Sequence, residues 1–156
     1  MTQLALAIKE YFEDQEWNFN YDEERDVFRM RMNLNTVDSC AVYVQMRDRT
    51  AFTVYSVFPI KVAEGKRAAA AEFLTRANYG LIHGNFEFDF SDGEVRFKVT
   101  TLCGDIALDK TSLNRIMNVG FCMLDRYGDG LLSVIYGGAA PADAIAAIEN
   151  RPADAQ

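Results

Sequence analysis

The sequence predicts an α+β fold, in which one antiparallel β-sheet carries helices packed on one face, in the order α-β-β-β-(β)-α-β-β-α. Three observations predict it. Apolar residues recur at helical spacing at the start, in the middle and near the end of the chain, but at every second residue from about Trp17 to Phe58. A further two-residue alternation predicts a hairpin between the second and third helices. The 156 residues, 49% hydrophobic and 25% charged, suffice for one core.

The first predicted helix covers residues 2–15 and is followed by a strand meander. Thr2 can cap this helix, and Leu4, Ile8 and Phe12 share one face. The predicted strands are WNFNY, VFRMRMNL, CAVYVQM and AFTVYSVFPI, separated by polar turn residues. Because these links are too short for a crossover, neighbouring strands are expected to be antiparallel.

The stretch NFEFDFSDGEVRF predicts the hairpin. Phenylalanines alternate with acids before the SDG turn, and apolar residues alternate with charged ones after it. We expect the aromatic side, with Phe90 as its last phenylalanine, to meet the helices. On the wetted side, acids should oppose bases across the two strands, with Glu87 and Asp89 facing Arg96 and Lys98.

Three more helices are expected. The second covers about residues 64–79, and the third begins near residue 109 with an apolar stripe from Leu113 to Leu124. The glycines of YGDGLLS predict that the third helix breaks or is capped there. A weak fourth helix is expected over Pro141–Glu149. We expect residues 1–137 to form a single domain and residues 138–156 an alanine-rich, weakly helical or flexible tail.

The charge of the chain argues against two classes of partner. A net charge of −7 and a pI of about 4.7 would repel both nucleic-acid phosphates and anionic membrane surfaces. The acid-rich run EDQEWNFNYDEERD is typical of a solvated helix end and turn, and a docking face for a basic partner is the alternative.

The protein is expected in the cytoplasm. The N-terminus lacks the basic region of a signal peptide, and no run of 18 apolar residues is present. Cys40, Cys103 and Cys122 are far apart and odd in number. We therefore expect all three to be reduced, small core residues.

No catalytic residue, metal or cofactor is expected. His83 is the single histidine, and the sequence around it supplies no nucleophile or orienting carboxylate, so a structural role in the loop is expected. No cysteine pair has zinc spacing. The stretch DRYGDGLLSVIY lacks both the middle carboxylate and the final glutamate of a calcium loop. The chain is accordingly not expected to be an enzyme.

The segment from Lys66 to Thr100 resembles the YbjN-type domain of bacteria. The matching features are a helix ending in Asn-Tyr, a Gly-Asn-Phe turn, an acidic-aromatic strand and a Gly-Glu-Val-Arg-Phe strand. The resemblance covers roughly residues 5–136 and is sharpest from Asn78 to Phe97. It implies a sensory transduction regulator with a fold similar to that of class I type III secretion chaperones. Those chaperones are small, acidic, cytoplasmic homodimers that hold an effector segment extended, and the resemblance carries over no catalytic residue.

Two functions follow as hypotheses. The first is a non-enzymatic protein-interaction module, a chaperone-like or regulatory adaptor that acts as a homodimer and accepts a protein or peptide segment. The alternative is a small-molecule-binding sensor with a pocket between sheet and helices. The candidate ligand- or partner-binding residues are Asn78, Tyr79, His83 and Arg96. The stripe from Leu113 to Leu124 or a sheet edge could form the dimer interface.

Overall fold

The computed structural model describes residues 1–150 and contains four α-helices and six strands. The helices are α1 (Gln3–Asp14), α2 (Arg67–Asn78), α3 (Lys110–Ile135) and α4 (Pro141–Glu149), with a short 3-10 turn, Glu64–Lys66, before α2. The strands are β1 (Phe19–Asp22), β2 (Val27–Asn33), β3 (Ser39–Asp48), β4 (Ala51–Val57), β5 (Asn85–Phe88) and β6 (Val95–Leu102).

All six strands form one antiparallel sheet in the order β1-β2-β3-β4-β6-β5. The helices pack against one of its faces, which confirms the predicted fold class and element order. The core lies between sheet and helices, where the largest fully buried side chains include Phe12, Phe28, Phe52, Phe73 and Phe97.

Helix α1 begins and packs as the sequence predicts. The Thr2 hydroxyl accepts a hydrogen bond from the Ala5 amide at 3.2 Å, so it satisfies one of the donors left free at a helix start. Phe12 is fully buried, and its ring lies edge-on to Phe28 of β2 at 5.5 Å. The Trp17 ring stacks on Phe12 at 5.6 Å and closes the end of the core next to β1.

Helix α3 continues without a break through the glycine-rich segment, so the predicted break was wrong. Gly128 and Gly130 are buried, and each lies where another element comes close. An added Cβ would lie 2.8 Å from Thr36 Cγ2 at Gly128 and 2.4 Å from Ile148 Cδ1 at Gly130. Glycine costs a helix about 1 kcal/mol relative to alanine, and here it permits neighbours to pack closely.

Asp125 of α3 holds the loop between β2 and β3. Its carboxylate accepts hydrogen bonds from the amides of Asn35 at 2.8 Å and Thr36 at 3.0 Å, and from the Asn35 side-chain amide at 3.1 Å. The Thr36 hydroxyl donates to the Asp125 carbonyl oxygen at 3.0 Å. The first acid of the apparent calcium motif therefore serves as a loop anchor.

The hairpin of β5 and β6 is present, but its turn is wider than predicted. β5 ends at Phe88, and the Asp89 carboxylate accepts a hydrogen bond from the Ser91 amide at 2.8 Å instead of facing a base. Phe90 leaves the strand and is 59% exposed, so its predicted place against the helices was wrong. The Asp89 amide still donates to the Glu94 carbonyl oxygen at 2.9 Å, and the residues beyond it leave the two-residue alternation because the Asp89 side chain bonds the backbone of the turn.

The fourth helix has the predicted bounds, Pro141–Glu149, and packs on α2 and α3. Ala144 and Ile145 are buried, and the Tyr127 hydroxyl donates to Glu149 Oε1 at 3.1 Å. The last six residues of the expected tail lie outside the described residues.

α3 comes very close to β4 at Gly120. Ser56 of β4 is fully buried, and its hydroxyl has no hydrogen-bond partner within the described residues. A Cβ added to Gly120 would lie 2.3 Å from Ser56 Oγ and 3.0 Å from Ser56 Cβ. The helix can therefore lie at this depth only because residue 120 has no side chain.

Substitutions of Gly120 and Ser56 are expected to have non-additive effects on the free energy of unfolding. Gly120→Ala should destabilise the fold by about 2 kcal/mol through overpacking. Ser56→Ala alone should be neutral or stabilising by up to about 1 kcal/mol, because it removes a buried, unsatisfied hydroxyl. In the double variant, Gly120→Ala should lower the free energy of unfolding by less than it does in the wild type, because the Ser56 hydroxyl is absent. Urea unfolding of all three variants would measure this.

Gly65→Ala provides the matched control, since no atom lies within 4 Å of its added Cβ. Its effect should stay within about 0.5 kcal/mol. Strict additivity of the two substitutions at the contact would contradict the proposed packing.

Candidate functional site

No helix covers the second face of the sheet in the described part of the chain, and we call it the open face. Its centre is formed by Ala41 and Tyr43 of β3 with Tyr55 and Val57 of β4, which we call the apolar strip. Tyr43 is 38% exposed, and the other three are half-buried. The strip is therefore an accessible apolar surface on the two central strands.

Two cross-strand rows place cations on both sides of the strip. The strand register aligns Arg29, Tyr43, Tyr55 and Lys98 in one row, and Arg31, Ala41, Val57 and Arg96 in the next. We call Arg29, Arg31, Arg96 and Lys98 the flanking cations. Because adjacent strands lie about 4.8 Å apart, the Cα atoms of the two flanks are separated by roughly 14 Å.

The flank on β6 is fixed by a carboxylate and an aromatic ring. Arg96 Nε donates to Glu87 Oε2 at 2.7 Å, and Lys98 pairs with the same carboxylate. The Arg96 guanidinium also lies 4.3 Å from the centre of the Tyr55 ring, within cation–π range. Partial burial raises the pKa of Glu87, but the hydrogen bonds from Lys98 and Arg96 outweigh it, so its pKa lies below the ordinary value.

The flank on β2 carries less compensated charge. Arg31 is exposed and donates to the Ser39 hydroxyl at 2.7 Å, and no carboxylate of residues 1–150 forms an ion pair with it. Arg29 donates to Asp22 Oδ2 at 3.1 Å, whereas its buried Nε has no partner within those residues. A neutral hydroxyl holds Arg31 in place without cancelling its charge.

Arg47 closes one end of the strip. Its Nε donates to Thr53 Oγ1 at 3.0 Å, and its Nη2 lies 2.5 Å from the Tyr55 hydroxyl. The Thr53 hydroxyl also lies 3.0 Å from that of Thr100. This guanidinium makes no ion pair among residues 1–150, so its charge is available to a bound molecule.

Charge is thus distributed unevenly over this protein. Five cations, the four flanking ones and Arg47, surround the strip, and the carboxylates paired with them are Asp22, Glu87 and Glu94. These contacts leave an excess of two positive charges on the open face, although the whole chain has a net charge of −7. The remaining surface is correspondingly more acidic.

The four residues predicted for binding are not brought together. Asn78 spans from α2 to β5, where its side chain accepts from the Phe86 amide at 2.6 Å and donates to the Phe86 carbonyl at 3.0 Å. Tyr79, 92% exposed, and His83, also exposed, lie in the following loop. Arg96 alone belongs to the open face. A binding role for the other three stays a prediction.

A crevice between sheet and helices lies where the sensor hypothesis places a ligand. It is lined by apolar residues, among them Phe58, Phe73, Phe86 and Tyr127, and the volume open to a water-sized molecule is about 10 Å³, room for roughly one water. Ligand pockets usually measure about 300–1,000 Å³ and contain several convergent polar groups. None of the four predicted binding residues lines this crevice.

The cysteines differ in their surroundings. Burial raises the pKa of the Cys40 thiol to about 11, with Asp125 adding to the effect, so this thiol is protonated at neutral pH. Cys103 is also buried and donates to the Thr50 carbonyl oxygen. Cys122 lies on the exposed side of α3, so its predicted place in the core was wrong.

Residues 1–150 contain neither a metal-ligand cluster nor a helix suited to span a membrane. No group of three or more His, Cys, Asp or Glu side chains is placed to hold a metal ion there. Within the same range, no helix combines the length and apolar character that crossing a bilayer requires.

Sequence reasoning missed most of the open face. The alternation in VFRMRMNL predicts that Arg29 and Arg31 face away from the core, but nothing in the sequence aligns them with the tyrosines of β3 and β4. The available signal was the alternation in VFRMRM and in AFTVYSV, where each strand turns one set of residues away from the core. Only the pairing register joins these sets into rows.

The molecule is a mixed α+β domain with helices on one face of its sheet and a basic, aromatic surface on the other. Residues 6–133 match the family YbjN, described as "Putative bacterial sensory transduction regulator". Since the match spans well over half of the 156 residues, the chain belongs to the YbjN family. Comparison with curated proteins gave no match. The description of the family is that of a regulator and not of an enzyme.

The ion pairs of Glu87 predict a pH dependence of stability. Because the folded pKa lies below the unfolded value of 4.5, the carboxylate stabilises the fold above that pH. Its contribution is lost as the pH falls through the folded pKa. Glu87→Gln should therefore lose less stability on acidification than the wild type, as urea unfolding at a series of pH values would show.

Glu72→Gln serves as the control, because it removes an acid whose ion pair with Arg76 on α2 is solvent-exposed. This variant should retain the acid sensitivity of the wild type. Equal acid sensitivity of Glu87→Gln and the wild type would contradict the assignment.

Proposed function

We propose that this protein is a non-enzymatic regulatory adaptor of the cytoplasm, which acts as a homodimer and binds a protein segment on the open face. The observation that carries the proposal is the apolar strip bordered by five cations on a sheet face that no described helix covers. Binding surfaces characteristically combine an apolar centre with a polar rim and are enriched in tyrosine and arginine. The regulatory description of the family agrees with this function.

The arrangement of the side chains also favours binding. Arg96 and Arg47 are held by hydrogen bonds and lie beside the Tyr55 ring before any partner arrives. A surface whose long side chains are already ordered loses less conformational entropy on association. The crevice gives the sensor hypothesis weaker support, because it is small and lined mainly by apolar side chains.

Site-specific photo-crosslinking in the host cell tests the adaptor function. A benzophenone amino acid replacing Tyr43, in the middle of the strip, should form an adduct with one defined polypeptide, identified by mass spectrometry. The same replacement at Tyr136, which is 73% exposed after α3, is the control and should not form this adduct. No adduct at Tyr43, or the same adduct at both positions, would contradict the proposal.

A sheet edge supports the proposed homodimer. β5 pairs with Val95–Lys98 only, so the segment Val99–Leu102 of β6 has β4 on one side and no described strand on the other. Such an edge can pair with the same edge of a second copy across a two-fold axis. Leu102, Ile82 and Ile106 around this edge are 82%, 89% and 76% exposed. The alternative interface, the stripe from Leu113 to Leu124, is buried within the chain.

Sedimentation velocity over a wide concentration range tests this interface. The wild type should be a dimer, and the double variant Ile82→Asp with Leu102→Asp a monomer, because charges would be buried at the edge without partners. Leu6→Asp, at a 46% exposed position on α1, should leave the dimer intact. A monomeric wild type would contradict the homodimer, and a dimeric double variant would contradict this interface.

A further inference from the structure

We infer that the open face binds an acidic amphipathic helix, which lies along β3 and β4 with its apolar stripe on the strip and its carboxylates on the flanking cations. This inference rests on the proposed function and names the class of partner. It follows from the width of the strip, the spacing of the rows, the charge of the flanks and the backbone chemistry of the bound segment.

The width of the site matches a helix. The two flanks are about 14 Å apart at their Cα atoms, and an α-helix with its side chains is about 10–12 Å across. A helix centred on Tyr43 and Tyr55 would therefore have its two sides next to Arg29 and Arg31 on β2 and next to Arg96 and Lys98 on β6. Cations on both sides require acids on both sides of its apolar stripe.

The spacing along the strands also matches. Successive rows on one face of a sheet are two residues, or about 6.7 Å, apart. Residues four apart on a helix rise about 6 Å and lie on the same side. Acids at positions i and i+4 could thus meet Arg31 and Arg29 in turn, while apolar residues between them meet Ala41 and Tyr43.

Backbone chemistry favours a helix over an extended segment at this place. The strands beneath the open face already exchange their backbone hydrogen bonds with neighbouring strands. An extended segment lying on top would find no backbone partner, and each of its amide and carbonyl groups would need water. A helix satisfies these groups internally and leaves its side chains to make the contacts.

Charge complementarity identifies the partner as acidic. Arg31 and Arg47 make no ion pair among residues 1–150, and Glu87 is shared between Arg96 and Lys98. Carboxylates of a bound helix would find guanidinium groups already held by the hydroxyls of Ser39 and Thr53. Arginine suits this role because its planar group can bind a carboxylate through two hydrogen bonds.

A second copy of this chain does not supply the helix. The described helices turn their apolar stripes into the core, and Leu6 is the one exposed large apolar residue on α1 to α4. A single leucine makes no stripe. The occupant is therefore a helix of another protein.

Binding of three synthetic peptides of about 15 residues tests the inference by fluorescence anisotropy. The first has a leucine stripe at helical spacing with glutamates on both sides. The second has lysine for each glutamate, and the third keeps the composition of the first but has two central prolines. The first should bind at least about tenfold more tightly than either of the others, and salt should weaken its binding.

Variants locate the site. Arg31→Glu with Arg96→Glu should weaken binding of the acidic peptide by at least about tenfold, since two attractions become repulsions. Arg115→Glu makes half of that charge change, by reversing one arginine on the exposed side of α3, and should leave binding unchanged. Should the double variant fail to fold, Arg31→Gln and Tyr43→Ser, which keep Arg96 with Glu87, should each weaken binding about threefold.

Each of the following outcomes would overturn the inference. Equal binding of the lysine peptide would exclude charge selection, and equal binding of the proline peptide would exclude the helix. Tighter binding of a single-stranded oligonucleotide would point to a polyanion, and loss of the dimer in the double variant Arg31→Glu with Arg96→Glu would point to a second copy. A specific adduct at Tyr43 without binding of the acidic peptide would reject the acidic helix but keep the adaptor, whereas absence of any adduct would reject the adaptor itself.

Discussion

The close contact of α3 with β4 is the constraint on which the rest of this structure depends. Gly120 lets the helix axis come so near that the Ser56 hydroxyl occupies the place of a Cβ atom. At that depth the 26 residues of α3, about 39 Å of helix, reach the Phe73 ring of α2 and the Ile148 side chain of α4 through Gly130. Asp125 extends the contact to the loop between β2 and β3. These contacts hold the helices together on one face of the sheet.

Concentrating the helices on one side gives the two faces of the sheet opposite roles. In an antiparallel strand the residue that faces the core alternates with one that faces away. The alternation that buries Phe28 and Met30 therefore also presents Arg29 and Arg31, and the one that buries Val42 and Val44 presents Tyr43. The core and the candidate binding surface are two consequences of a single pattern.

The charges of this protein act over two ranges. The net charge of −7 sets a negative potential at long range. Within a few ångströms of the open face the flanking cations dominate, because salt screens exposed charges over about 8–10 Å. A short acidic segment can therefore be attracted by this face of a protein whose net charge is negative. The hydroxyls of Ser39 and Thr53 support this, since they position arginines without neutralising them.

The sequence by itself determined the elements that local patterns encode: α1 with its Thr2 cap, the strand meander, the core of the hairpin and the helix over Pro141–Glu149. Periodicity and capping act within a few residues, which is why they could be read directly. Tertiary structure decided the rest. Gly128 and Gly130 looked like a helix break because their partners, Thr36 and Ile148, lie far away in sequence. The open face was hidden for the same reason, since the row of Arg29, Tyr43, Tyr55 and Lys98 exists only once strand pairing fixes the register.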